Sequence, residues 1–241
     1  MNKLPLPART LVAMVAAGGM GCLLANLPGL ARWDGGDALL FVLLAACVVI
    51  GEQFQVPVRF GSERLNLSLT EAVWVGALLL APASVVTMAV AVGVLIGHAL
   101  RRRAPFKVAF NVGQFLLALT AAELIVRAVR GTEVLGPMAF MAVGLGMAAY
   151  AVVNAGLVAL AISQAQGKPL RTVLLPPLPE NAVHFAANTA LGLISAVLWK
   201  ASPEALPVLL LPLAMSFVAV RALMQNVAAA DRPKELVASA P

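Results

Sequence analysis

The chain has 241 residues, 61% of them hydrophobic and only 12% charged, and carries a formal net charge of +6. A soluble domain is about 45–50% apolar and about 25% charged, so a soluble fold of this size has no way to hide so much apolar surface, and the bilayer is the natural solvent. The basic residues sit in short loops between apolar runs, as membrane topology requires, and not as the basic face of a nucleic-acid-binding domain.

A helix needs about 20 apolar residues to cross the hydrocarbon core. About eight apolar segments are found, and they predict an all-α, polytopic integral membrane helical bundle. The first runs from about Thr10 to Ala31. Lys3 and Arg9 ahead of it imitate a secretory signal, but its apolar run is longer than the about 7–15 residues of a cleaved one, so a retained helix is expected. Gly18, Gly19 and Gly21 give it a small-residue face. The second segment runs from about Asp37 to Phe54. The preceding Asp34-Gly35-Gly36-Asp37 overlaps part of a nucleotide-cyclase motif but falls in a turn between helices, and is read as coincidence.

From Gln55 to Ser68, Val56, Val58 and Phe60 alternate with polar or proline positions. That pattern predicts extended chain or a hairpin at the interface. Ser68 or Thr70 is placed to cap the next helix, with Glu71 in its first turn. Glu52 and Glu71 read as helix-end charges or as partners of Arg59 and Arg64.

The third segment, Leu69 to Ala81, and the fourth, Ala83 to about Leu100, meet at Pro82. They form either two crossing helices or a re-entrant pair of half-helices. Gly93 and Gly97 make a GxxxG pair that permits a close helix contact. Arg101, Arg102, Arg103 and Lys107 follow, the densest positive cluster in the chain. They are read as a membrane-surface anchor whose contacts are anionic headgroups or a cytoplasmic partner.

The fifth segment runs from Phe106 to about Val126 and the sixth from about Leu135 to Ser163, long enough to tilt or protrude. A polar, then proline-rich loop from Gln164 to Glu180 leads to the seventh, about Ala182 to Trp199. The eighth spans about Ala205 to Met224, with Pro207 tolerable near its start and Pro212 expected to kink it. Residues 1–224 thus form one transmembrane domain. Residues 225–241 form a polar tail expected to be cytoplasmic and disordered.

Placing the Arg101 loop in the cytoplasm puts 13 of the 17 basic residues inside, with Arg32, Arg127, Arg130 and Lys200 outside. The positive-inside rule therefore predicts a multi-pass inner-membrane protein with both termini cytoplasmic. A re-entrant third and fourth segment would leave the sides unchanged.

Polar side chains at membrane depth usually face protein or a cavity. Glu123 lies four residues before Arg127, either as an interfacial ion pair or as the wall of an outward-facing ligand pocket. Asn111 and Gln114 share a helix face, as do His184 and Asn188, and Tyr150 and Asn154. Each pair is suited to interhelical hydrogen bonding or to holding a polar ligand. Tyr150, Asn154 and Glu123 are the preferred places for an outside ligand, whereas Asn111 and Gln114 suit packing or relay. Trp33, Trp74 and Trp199 sit near predicted ends, as interfacial anchors do. Cys22 and Cys47 fall within apolar runs and read as buried small hydrophobes. No Cys/His/Asp/Glu cluster has metal spacing and no catalytic or nucleotide motif is present, so neither an enzyme nor a cofactor is expected.

The extended VPVRFG and NLSLTEA, the LLLAP turn, the basic loop with KVAFNVGQ, the later QGKPLRTVL and the final LLLPL form a recognisable arrangement. From about Leu39 to Met224 the chain resembles the N-terminal multi-helix membrane region ahead of GGDEF, EAL or HD-GYP output domains in bacterial, particularly actinobacterial, cyclic-di-GMP signalling proteins. That resemblance implies a cytoplasmic C-terminus and a sensory role. No output domain follows Met224 in these residues, so the cyclic-nucleotide chemistry is not carried over. The expectation is either an excised domain or a protein that acts through a partner.

The function expected is a sensory, ligand-binding input domain that relays to a cytoplasmic effector. The alternatives are a transporter, or the substrate-capture subunit of one, and a membrane scaffold. The partners expected are the lipid bilayer, an effector or partner subunit, a small molecule of unspecified identity and, for the scaffold, a second copy of the chain.

Overall fold

A computed structural model of the chain describes residues 4–54, 56–60, 63–67, 70–175 and 178–209. Helix α1, Leu6–Asn26, has proline in its first turn, where a missing N–H costs nothing. It begins earlier than expected and tightens into a 3-10 turn over Leu27–Arg32. Helix α2, Gly35–Gln53, is capped by Asp34, whose carboxylate accepts the Asp37 N–H at 2.8 Å. The cyclase-like Asp-Gly-Gly-Asp stretch is therefore a helix start.

Strands β1, Val56–Phe60, and β2, Glu63–Leu67, pair antiparallel, with Val56 opposite Leu67 and Phe60 opposite Glu63. The alternating stretch is thus a hairpin, set into an otherwise helical bundle. Helices α3, Thr70–Leu80, and α4, Ala83–Leu100, follow, joined at Ala81 and Pro82. Then come α5, Pro105–Val129, and α6, Pro137–Gln166. A short α7, Leu170–Leu174, lies in the stretch expected to be loop. Helix α8, Leu178–Ala201, ends the described bundle, followed by a 3-10 turn over Pro203–Leu209.

Among the described residues five helices are long and apolar enough to span a bilayer: α1 with its 3-10 extension, α2, α4, α5 and α6. Helix α3 and the apolar part of α8, Phe185–Ala201, are shorter. Most of the eighth predicted segment, Pro212 included, lies outside the described residues. Five full-length spans and two shorter apolar helices therefore stand where about eight segments were expected.

Helices α3 and α4 form the interior. Helix α4 packs between α2 and α5, α3 packs mainly on α8, and α5 lies against α1 and α6. Leu39 and Val42 of α2, Leu145 and Val152 of α6 and Ile194 of α8 point outward. An apolar face of that extent suits lipid.

Glycine decides two of the helix contacts. A Cβ on Gly93 would come within 2.6 Å of Val48, and one on Gly97 within 2.7 Å of the Glu52 Cβ. The GxxxG pair is thus the seam between α4 and α2. Gly19 of α1 and Gly113 of α5 meet backbone to backbone.

The two ends of the bundle are distinct. One carries Arg101 to Arg103, beside the last turn of α2 and the first of α3. At the other, the Arg130 guanidinium donates to the Leu79 carbonyl at 3.3 Å, and the Trp33 indole N–H donates to Ser84 Oγ at 2.9 Å. The α3–α4 turn therefore reaches the far end of α5.

Two sequence expectations are corrected here. Trp74 is no interfacial anchor: it is 1% exposed, because α3 is surrounded by other helices. Cys47 is exposed on the outer face of α2, and Cys22 is half-buried.

Candidate functional site

The buried polar side chains of the described residues concentrate toward the basic end. Glu52, in the last turn of α2, is fully buried. Thr70 Oγ1, at the start of α3, donates to Glu52 Oε1 at 3.4 Å. From α4, His98 places Nδ1 at 3.9 Å from Glu52 Oε2, too far for a hydrogen bond. Asn111 Nδ2 of α5 lies 3.1 Å from His98 Nε2. With the amide as donor, Nε2 is the acceptor and the ring proton sits on Nδ1, facing the carboxylate. Arg101 and Arg103 act electrostatically on both Glu52 and His98.

Two further bonds close the ends of α2 and α4 over this group. Gln53 Nε2 donates to the Gly97 carbonyl at 3.0 Å, and Arg101 Nη2 donates to the Gln53 carbonyl at 2.7 Å. The basic cluster therefore divides. Arg101 and Arg103 are turned toward the bundle, whereas Arg102, in a left-handed conformation (φ 51°), and Lys107 are exposed. Of the four residues expected to form a surface anchor, only Arg102 and Lys107 are exposed, while Arg101 also bonds within the bundle.

Beside this group, Asn188 of α8 donates to Glu71 Oε2 of α3 at 3.2 Å, and both residues are buried. Glu71 is close enough to Glu52 for their charges to interact. Gln114 of α5 donates to Asn154 of α6. Between these layers the Tyr150 ring packs 5.8 Å from Trp74 and 5.7 Å from Phe185. The Tyr150 hydroxyl and the Trp74 indole N–H find no hydrogen-bond partner among the described residues.

Of the residues singled out from sequence, Asn111, Gln114, Tyr150, Asn154 and Asn188 thus belong to this polar interior. Asn111 and Gln114, though on one helix, serve different neighbours. Glu123 stands apart, about 14 Å along α5 from Gln114, and pairs with Arg127 at 3.6 Å. The side chain of His184 lies outside the described residues, as do those of Arg59 and Arg64. Among the described residues no group of three or more metal-ligating side chains converges.

Sequence reasoning did not single out His98, Thr70, Glu52 or Glu71 as site residues. The available signal was positional: both glutamates close apolar segments on either side of the hairpin, and His98 stands three residues before Arg101. Chemically the assembly offers carboxylates, an imidazole and amides joined across five helices. Such groups can exchange protons or hydrogen-bond a small polar species.

A model of the MASE9 family, a group of membrane-associated sensor domains, matches residues 29–226. The match begins in the 3-10 turn after α1 and covers every later element described above. No curated protein and no solved structure matches the chain.

Proposed function

The chain belongs to the MASE9 family of membrane-associated sensor domains, and on that premise we propose that it is a membrane input domain that relays a signal to a cytoplasmic effector. The observation that carries this reading is the buried polar interior that joins α2, α3, α4, α5 and α8 and opens onto the Arg101–Arg103 loop. Buried ionisable groups within a membrane bundle are costly and mark functional sites. Here they connect helices that also meet through apolar and glycine contacts. A change at Glu52, His98 or Glu71 alters several helix contacts at once, at the end where positive charge accumulates.

In this reading the protein is a multi-pass inner-membrane domain with the basic end and both termini in the cytoplasm, and the α3–α4 hairpin crosses with the other helices. Its output partner is of the cyclic-di-GMP type implied by the sequence resemblance, either attached or recruited. The signal produces a response only by favouring one of two packings of the bundle. Nothing in the geometry favours transport or scaffolding over this role.

The test is a reporter cyclase appended after Pro241, assayed in cells. Replacing His98 or Asn188 is expected to change reporter output at constant membrane expression. Output identical to that of the unaltered chain in both variants would remove the sensor reading.

A further inference from the structure

We propose that Glu52 is a proton-binding site, with His98 as its positioning residue, so that the species recognised at the basic end of the bundle is H⁺. The proposal names the input of the sensor reading above and rests on that reading for its consequence, though not for the site itself.

Glu52 and His98 are 0% and 2% exposed. Their nearest atoms are 3.9 Å apart, and His98 Nδ1 makes no hydrogen bond among the described residues. At 3.9 Å the contact between the two side chains is too long for a hydrogen bond, so it is a weak staple for two buried ionisable groups. As a proton site it is well arranged. Asn111 occupies Nε2, so the lone pair that would take a second ring proton is engaged. An incoming proton therefore goes to the Glu52 carboxylate, with the Nδ1–H directed at it.

The other charged and titratable groups that act on the pair come from three directions. Glu71 lies on α3, Arg101 and Arg103 on the connection from α4 to α5, and the Tyr150 phenol on α6. The two guanidinium groups and the imidazole N–H disfavour a metal cation at the same carboxylate. Access is short: Glu52 is the penultimate residue of α2, next to half-buried Gln53 at the end of the bundle.

Protonation removes the negative charge that Arg101 and Arg103 face. Arg101 also holds the Gln53 carbonyl, and Gln53 holds that of Gly97. The change therefore falls on the bonds that close the α2–α4 glycine seam.

The full chain in lipid nanodiscs, titrated from pH 9 to pH 5 by infrared difference spectroscopy, tests this. A protonated-carboxyl C=O band is expected to appear on acidification and to be missing from Glu52→Gln. Glu52→Asp, which keeps a carboxyl, is expected to shift the band in frequency and serves if the glutamine variant does not fold. His98→Gln is expected to keep the band but move its midpoint by at least about half a pH unit, about a threefold change in proton affinity.

A band unchanged by both Glu52 substitutions overturns the proposal. So does a His98→Gln midpoint equal to that of the unaltered chain, or a midpoint that follows Na⁺ but not choline. A reporter fusion indifferent to pH, in a chain whose band titrates as described, removes the sensor reading and leaves the proton site. A responsive fusion whose band ignores both Glu52 substitutions does the reverse.

Discussion

Asn188 on α8 reaches Glu71 at the head of α3 through one hydrogen bond of 3.2 Å, buried at both ends. Helix α8 meets α3 elsewhere through small residues, with Gly192 against Val75 and Gly76 against the Gly192 carbonyl. The bond thus adds a polar link to a contact otherwise built on close backbone approach. Interhelical hydrogen bonds in membrane proteins average about 0.6 kcal/mol and reach about 1.7. Asn188→Ala is expected to lower stability by about 1 kcal/mol in a detergent unfolding titration. Asn188→Asp, which sets a second carboxylate against Glu71, is expected to cost more, and the reverse order would refute this pairing.

The glycine seam between α2 and α4 makes a second prediction. Gly93→Ala forces a methyl group onto Val48, and overpacking of this kind costs about 1–3 kcal/mol. Gly144 of α6 has nothing within 4 Å of an added Cβ. Gly144→Ala is expected to be neutral or to gain up to about 1 kcal/mol from helix propensity. Thermal unfolding of the two variants side by side checks the contrast.

Tyr150 separates packing from hydrogen bonding. Its ring is enclosed by Trp74 and Phe185, while its hydroxyl has no partner among the described residues. Tyr150→Phe is expected to leave stability within about 0.5 kcal/mol, since no hydrogen bond within the protein is lost. Tyr150→Ala is expected to cost about 3–5 kcal/mol by opening a cavity, in the range of large aromatic truncations. A phenylalanine variant as damaged as the alanine one would show that the hydroxyl does have a partner.

Orientation is open to chemical labelling. Arg102 and Thr132 are exposed at opposite ends of α5. With Cys22 and Cys47 replaced by Ala, Thr132→Cys is expected to react with a membrane-impermeant maleimide in intact cells. Arg102→Cys is expected to react only after permeabilisation, and the opposite pattern would invert the topology.

Helix positions were legible because long apolar runs broken by Pro82, by the basic triplet and by the polar stretch after Gln164 leave few alternatives. The hairpin was legible from the alternation of Val56, Val58 and Phe60. Helix rotation was not. In α2 and α3, as in α5 and α6, apolar residues surround the axis, so sequence does not reveal which face turns inward. For that reason Trp74 read as an anchor and Cys47 as buried. For the same reason Glu52, Glu71 and His98, close to helix ends, read as ordinary terminal residues although all three face the interior. The pairs Tyr150–Asn154 and Asn111–Gln114 were recognised because i, i+3 and i, i+4 spacing fixes relative direction within a helix, though not the neighbour each side chain meets.

Helix α6 has 30 residues and is about 45 Å long, against about 30 Å of hydrocarbon. Placed upright it leaves about ten residues beyond the lipid tails, and its last turns carry Ser163, Gln164 and Gln166 before Gly167 ends it in a left-handed turn. Five residues longer than α5, α6 brings these polar turns and α7 to the same end of the bundle as the Arg101–Arg103 loop, where the β1–β2 hairpin also lies.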